Sequence, residues 1–213
     1  MHNIEILRST LETNLQKFAT KIGKVQIGNK TQFPYGWRNA AKGRTVWRIL
    51  EEIVIQNLQF RASELGFDKV EFATSEISVF DFRCKMTDID IFVYVNIKSA
   101  LLGGESNKDD LSKPQGLIDF FAENIDKNLF IAIFFIQFND NDDISIEISK
   151  VSVFPIAWIP DIYVNPSNNG NLQSSKYKDI SNAVKRTNQE FVDLLKVEIL
   201  NANEKKHNKN SKQ

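Results

Sequence analysis

Residues 79–99 read VFDFRCKMTDIDIFVYVNIKS, two apolar runs around the short polar break Thr87-Asp88. The alternation predicts strands over 77–85 and 89–99, folded into a hairpin that turns near Thr87-Asp88. Side chains two apart in a strand share a face. Asp88, Asp90, Asn96 and Lys98 are therefore expected on one side of the second strand, and Asp81 lies across from about Asn96. An acid, an amide and an amine then meet at one place.

The rest of the chain frames this hairpin. Upstream, Ile4, Leu7, Leu11, Leu15 and Phe18 recur at helical spacing, so residues 3–20 are read as a helix. Residues 21–44 contain Gly23, Gly28, Pro34, Gly36 and Gly43 and read as loop with at most a short strand. A helix is expected from Arg44 to Glu64, stopped by Gly66, followed by a strand from Lys69 to Ser75. Downstream, residues 101–116 read as a polar flexible segment and Leu117–Ile125 as a short helix. Leu129–Phe138 and Ile144–Phe154 read as strands around the turn NDNDD. Residues 160–178 read as an Asn-, Ser- and Pro-rich loop, 180–200 as an amphipathic helix, and 201–213 as a polar tail expected to be disordered. Helices and strands mix without strict βα alternation. The expected class is α/β (α+β), a central mixed β-sheet flanked by helices in a single domain over residues 1–200.

Composition narrows the chemistry. Cys84 is the only cysteine, which rules out an internal disulfide and a cysteine-cluster metal site and is compatible with a reducing cytoplasm. His2 and His207 are the only histidines and both lie near the ends, so catalysis by a core histidine and a histidine-rich zinc site are excluded. No apolar run approaches the roughly 18 residues of a membrane span, and the start, MHNIEILRSTLETNL, lacks the apolar stretch of a signal peptide. No Gly-rich phosphate loop follows a strand, which argues against a Rossmann or P-loop domain. The formal net charge is zero, yet no acid occurs from Thr13 to Leu50, where Lys17, Lys21, Lys24, Lys30, Arg38, Lys42, Arg44 and Arg48 fall. Such a segment can hold a polyanion locally, or be a solvated face.

A carboxylate beside a lysine suits phosphodiester cleavage. The acid holds a hard divalent cation through oxygen. The cation polarises the phosphate and lowers the pKa of the attacking water, and the lysine orients or deprotonates that water and offsets developing charge. The pattern resembles the PD-(D/E)XK nucleases and, among them, type II restriction endonucleases. Phe80-Asp81 stands for the Pro-Asp element and Asn96-Ile97-Lys98 for the Asp/Glu-X-Lys element, with Ser99 following. The upstream helix TVWRILEEIV, residues 45–54, belongs to the resemblance because such nucleases often place an acid from it beside the metal. Glu51 shares its side with Trp47, Ile55 and Leu58, whereas Glu52 shares its side with Arg48, Gln56 and Gln59, so Glu51 is the candidate. Two departures stand out: Phe80 replaces the proline and Asn96 the second acid, for which Asp90 or Asp88 could compensate.

The resemblance implies a restriction-endonuclease-like fold, Mg²⁺ held by Asp81, Asn96, Glu51 and Asp90, and catalysis by Asp81, Asn96, Lys98 and Glu51. It implies cleavage of double-stranded DNA at a short specific sequence by a homodimer, with a companion DNA methyltransferase as a possible partner in the same system. Candidate DNA contacts are Tyr35, Trp37, Arg38, Asn39, Lys42 and Arg44 in one loop, by phosphate contact and stacking. Asn165, Asn168, Asn169, Asn171 and Gln173 in another are candidates for base edges. For Tyr35 and Trp37 packing onto the core is an equal reading, and Asn-rich loops are also good turn formers. A repair or junction-resolving nuclease, a catalytically inactive DNA-binding module and a protein-interaction domain are the competing functions.

Overall fold

The computed structural model describes residues 3–75, 77–103, 108–167 and 170–210, with side chains for all of these except 39–45 and 209–210. The elements in chain order are α1 (Ile4–Ile22), β1 (Lys24–Asn29), α2 (Asn39–Phe60), β2 (Phe67–Phe72), β3 (Phe82–Met86), β4 (Ile89–Leu101), β5 (Asp109–Ser112), α3 (Pro114–Glu123), β6 (Asn128–Asp140), β7 (Asp143–Pro155), β8 (Tyr163–Val164), β9 (Leu172–Ser174) and α4 (Asn188–Asn210), with four short 3-10 turns between them.

Six strands form one sheet in the order β1-β7-β6-β4-β3-β2. Every pairing in it is antiparallel except β4 with β6. A parallel pair needs a long crossover, and here β5 and α3 supply it. The sheet is therefore mixed and flanked by helices, as the sequence predicts. β6 reads NLFIAIFFIQF because it is buried on both faces. Phe130, Ala132 and Phe134 join one core with Leu7, Leu11, Leu15 and Phe18 of α1 and Val46, Leu50, Val54 and Leu58 of α2. Leu129, Ile131 and Ile133 join the other with Leu117 and Phe121 of α3 and Phe191 and Leu195 of α4. A smaller sheet, β5-β9-β8, lies within the crossover and the segment before α4. Among the described residues no helix is long and apolar enough to cross a membrane.

Several boundaries differ from expectation for identifiable reasons. Within 21–44 the short strand that the reading allowed is β1, paired to residues 143–147 of β7, and the departure is the start of α2 at Asn39 instead of Arg44. α2 ends at Phe60, and a 3-10 turn reaches Gly66 in the left-handed region (φ 82°). A Cβ there would lie 2.9 Å from the Asn14 amide, which itself donates to the Gly66 carbonyl, so both conformation and contact call for glycine. The strand expected from 77 starts only at Phe82, because the Ile97 N–H donates to the Asp81 carboxylate at 2.5 Å, not to a neighbouring backbone. The last helix begins at Asn188, later than 180, and runs past Leu200 to Asn210. The tail expected as disorder is thus helical to that point. Extending a formed helix is cheap, and Ala202 is buried in the second core.

Candidate functional site

The hairpin turns as predicted, with Met86 opposite Ile89, Phe82 opposite Val95, and Asp88 at φ 65° in the turn. Asp81, just before β3, donates its N–H to the Val95 carbonyl, which locks it beside Asn96. Asp81, Asn96 and Lys98 line a single cleft of about 1020 Å³ together with Glu51 of α2. Its walls are α2, residues 73–75 and 77–81, the end of β4, and β5.

The electrostatics of this floor are unusual. Burial raises the Asp81 carboxyl, opposed by the Ile97 N–H and the Lys98 ammonium. Burial also raises Glu51, helped by the Asp81 charge and opposed by Arg48 and Lys98. Burial lowers Lys98, opposed by Asp81, Asp109, Glu51 and Asp110. The charges of four carboxylates thus act on one half-buried lysine, yet among the described residues none forms an ion pair with it within 4 Å. Asn96 is 7% exposed; its amide N–H donates to the Val79 carbonyl, while its Oδ1 has no hydrogen-bond partner among the described residues. Glu51 Oε2 is likewise buried without one, with the Arg48 guanidinium 3.9 Å away. Such oxygens are costly unless something else satisfies them.

Glu51, Asp81 and Asn96 are the side chains of the expected set that put oxygens into the cleft where they could face a hard cation. Among the described residues no group of three or more His, Cys, Asp and Glu side chains is gathered closely enough to hold a metal. Two carboxylates and an amide suit Mg²⁺, which keeps several waters and takes only one or two protein carboxylates. Neither Asp90 nor Asp88 belongs to this set. Asp90 is exposed and pairs with Lys85. It precedes Lys98 by eight residues, roughly 26 Å along an extended strand, so sharing a face does not bring it to the site. Asp88 is exposed in the turn. Glu52, facing out, accepts from Gln56.

The expected DNA-contacting residues divide. Tyr35 and Arg38 are exposed. Trp37 packs against Phe33 and Phe138, ring centroids 4.9 and 6.0 Å away, and its backbone N–H donates to Asp140 at 3.1 Å. This is the packing reading. Asn39, Lys42 and Arg44 fall in α2, and their side chains lie outside the described residues, as do Asn168 and Asn169 altogether. The basic segment is not one stripe: Lys21 pairs with Glu64 and Lys30 with Asp140, whereas Arg48 lines the cleft.

The amides expected to read bases have other work. Gln173 is buried and donates to Asp110 at 2.7 Å; Asn171 donates to the same carboxylate at 3.0 Å; Asn165 donates to the Gln173 carbonyl at 3.0 Å. Tyr177 and Lys178 hold Asp109, both at 2.7 Å. Asp109 and Asp110, which sequence reasoning left in a flexible segment, are thereby fixed in the cleft that Lys98 lines. No local pattern marks them, since their partners lie more than 60 residues away. Gln173→Leu is expected to destabilise the fold by about 0.5–1.5 kcal/mol, because the buried Gln173 amide ties Asn165 to Asp110 and both bonds are lost. Urea unfolding measures this, and unchanged stability with lost DNA affinity would return Gln173 to a base-reading role.

No protein-family model matches the chain, and no curated protein matches it.

Proposed function

We propose that the protein is a Mg²⁺-dependent endonuclease of the restriction-endonuclease-like fold that hydrolyses double-stranded DNA at a short specific sequence. The supporting observation is the cleft floor: Asp81 just before β3 and Lys98 on β4 line one cleft with Glu51 and Asn96, each of which has a buried oxygen without a partner among the described residues. These oxygens would hold the cation, which when bound polarises the phosphate and the attacking water. Asp81 is fixed for this by the Ile97 N–H and Asn96 by the Val79 carbonyl. Lys98 presents an ammonium to phosphate oxygens and orients the water in line with them. Its lack of an ion-pair partner among the described residues suits a group whose counterpart arrives with the substrate. A homodimer on a palindromic site and a companion methyltransferase are parts of the same proposal.

Supercoiled plasmid with Mg²⁺ tests it. Discrete fragments are expected from a sequence-specific enzyme, and a smear or junction-specific cutting from a repair or resolving nuclease. Excess chelator is expected to abolish cleavage. Ca²⁺, which takes the same oxygens in a looser shell, is expected to raise the melting temperature of the DNA-free protein by mass action. Cleavage persisting in chelator would remove the metal from the reading. The neutral Asn96 favours a second reading, a catalytically inactive DNA-binding module, which predicts DNA binding with intact plasmid under every metal.

A further inference from the structure

Two large apolar side chains at the cleft reach solvent, Ile77 almost wholly and Trp47 in part. Ile77 is 90% exposed. It sits at the tip of a tight turn, with the Ser78 N–H bonded to the Ser75 carbonyl at 3.1 Å and its own N–H near Ser75 Oγ at 3.4 Å, in the segment that leads to Asp81. Trp47 is 38% exposed on α2, one helical turn before Glu51. The Arg48 guanidinium lies over one face of its indole at 4.1 Å. Trp47, Arg48 and Ile77 all line the same cleft as Glu51, Asp81 and Lys98.

We propose that Trp47 and Ile77 are the jaws of a nucleobase clamp that takes a base unstacked beside the scissile phosphate. The inference rests on the nuclease reading and adds to it how the substrate is presented: the helix is opened locally at the cut. Three features favour a base as the occupant. An indole offers a flat stacking surface that every base can use. An aliphatic side chain at a loop tip can wedge a base step apart, as minor-groove binders do with isoleucine and leucine. Trp47 lies four residues, about 6 Å of helix rise, from Glu51, within two nucleotide rises of about 3.4 Å. The Arg48 cation on the indole is placed to hold the adjoining phosphate. Two side chains over an acidic floor are too small an apolar area for a protein partner.

The test uses the full chain in Ca²⁺ with three labelled 30-mers of one sequence: a paired duplex, the same duplex with a central mismatched bubble, and the single strand. The wild type is expected to bind the bubble about tenfold tighter than the duplex, since opening the helix is already done and a stacked base contributes on that scale. Trp47→Ala and Ile77→Ala are expected to bring that ratio near one with duplex affinity kept. Ile77 is 90% exposed, so Ile77→Ala is expected to leave the melting temperature unchanged; Trp47 is 38% exposed, so Trp47→Ala is expected to melt somewhat lower, while Trp47→Phe is expected to keep the fold and part of the preference. Bubble binding is also expected to quench tryptophan fluorescence in the wild type and not in Trp47→Phe. Equal wild-type affinity for bubble and duplex, or a preference that survives both alanine variants, overturns the clamp and leaves the nuclease reading standing. Failure to bind any of the three DNAs overturns both.

Discussion

Lys98→Ala is expected to lower DNA cleavage by at least about a hundredfold, the range for losing a positioned proton-transfer or charge-stabilising group. Lys98 is two residues beyond Asn96, so the pleat of β4 carries both side chains to the face that Asp81 meets. Burial alone would drive the amine toward its neutral form, and the charges of Asp81, Asp109, Glu51 and Asp110 work against that. No carboxylate among the described residues closes on it, which is a poor way to satisfy a structural lysine and a useful way to keep a reactive one free. DNA binding in Ca²⁺ is expected to survive the change, because one cation among many phosphate contacts carries little of the affinity. Asn96→Asp is the companion variant: an added charge on the orphaned oxygen is expected to tighten metal binding whatever it does to turnover. Cleavage rate, DNA affinity and metal titration on both proteins decide the matter. A Lys98→Ala protein that cuts at the wild-type rate removes the proposed site.

Asp81→Asn is expected to separate activity from stability in opposite directions. Cleavage falls by at least about a hundredfold, since a buried carboxylate that would carry metal charge becomes a neutral amide. Without metal, the same variant is expected to melt higher than the wild type at neutral pH. The Asp81 carboxyl is raised in the folded protein, so folding favours its protonated form. Between the ordinary aspartate range and the raised value the folded state binds more protons than the unfolded one, so stability falls as pH rises through that window. Above it, the ionised group costs the fold stability that asparagine, still able to accept from the Ile97 N–H, does not. Below the ordinary aspartate range the two proteins are expected to melt alike. Thermal melts from acid to neutral pH check this, and an Asp81→Asn protein less stable than the wild type at neutral pH contradicts the account. Saturating Ca²⁺ is expected to reverse the order, because the charge then has a partner.

The sequence by itself determined the parts of this protein that depend on short spacings. Period-two alternation over 79–99 predicts the hairpin, its turn at Thr87-Asp88 and the placing of Asp81 beside Asn96, because strand faces follow from backbone geometry within a few residues. Helical spacing separates Glu51 from Glu52 correctly, since only one of them shares an arc with Trp47, Ile55 and Leu58, and that acid is the one lining the cleft. The mixed sheet between helices follows from the order of these elements. What only the tertiary structure decided are distances between elements. Periodicity puts Asp90 and Lys98 on one face, but a strand residue advances about 3.3 Å, so a shared face spread over eight residues is not a shared site. Asp109 and Asp110 line the same cleft as Lys98 because Tyr177, Lys178, Asn171 and Gln173 hold them from more than 60 residues away, and no local pattern encodes such a placement. The same network turns amides that read as exposed base-recognition groups into internal supports. Asn, Gln and Asp in a polar segment look alike whether water or another side chain satisfies them, and only packing determines which one does.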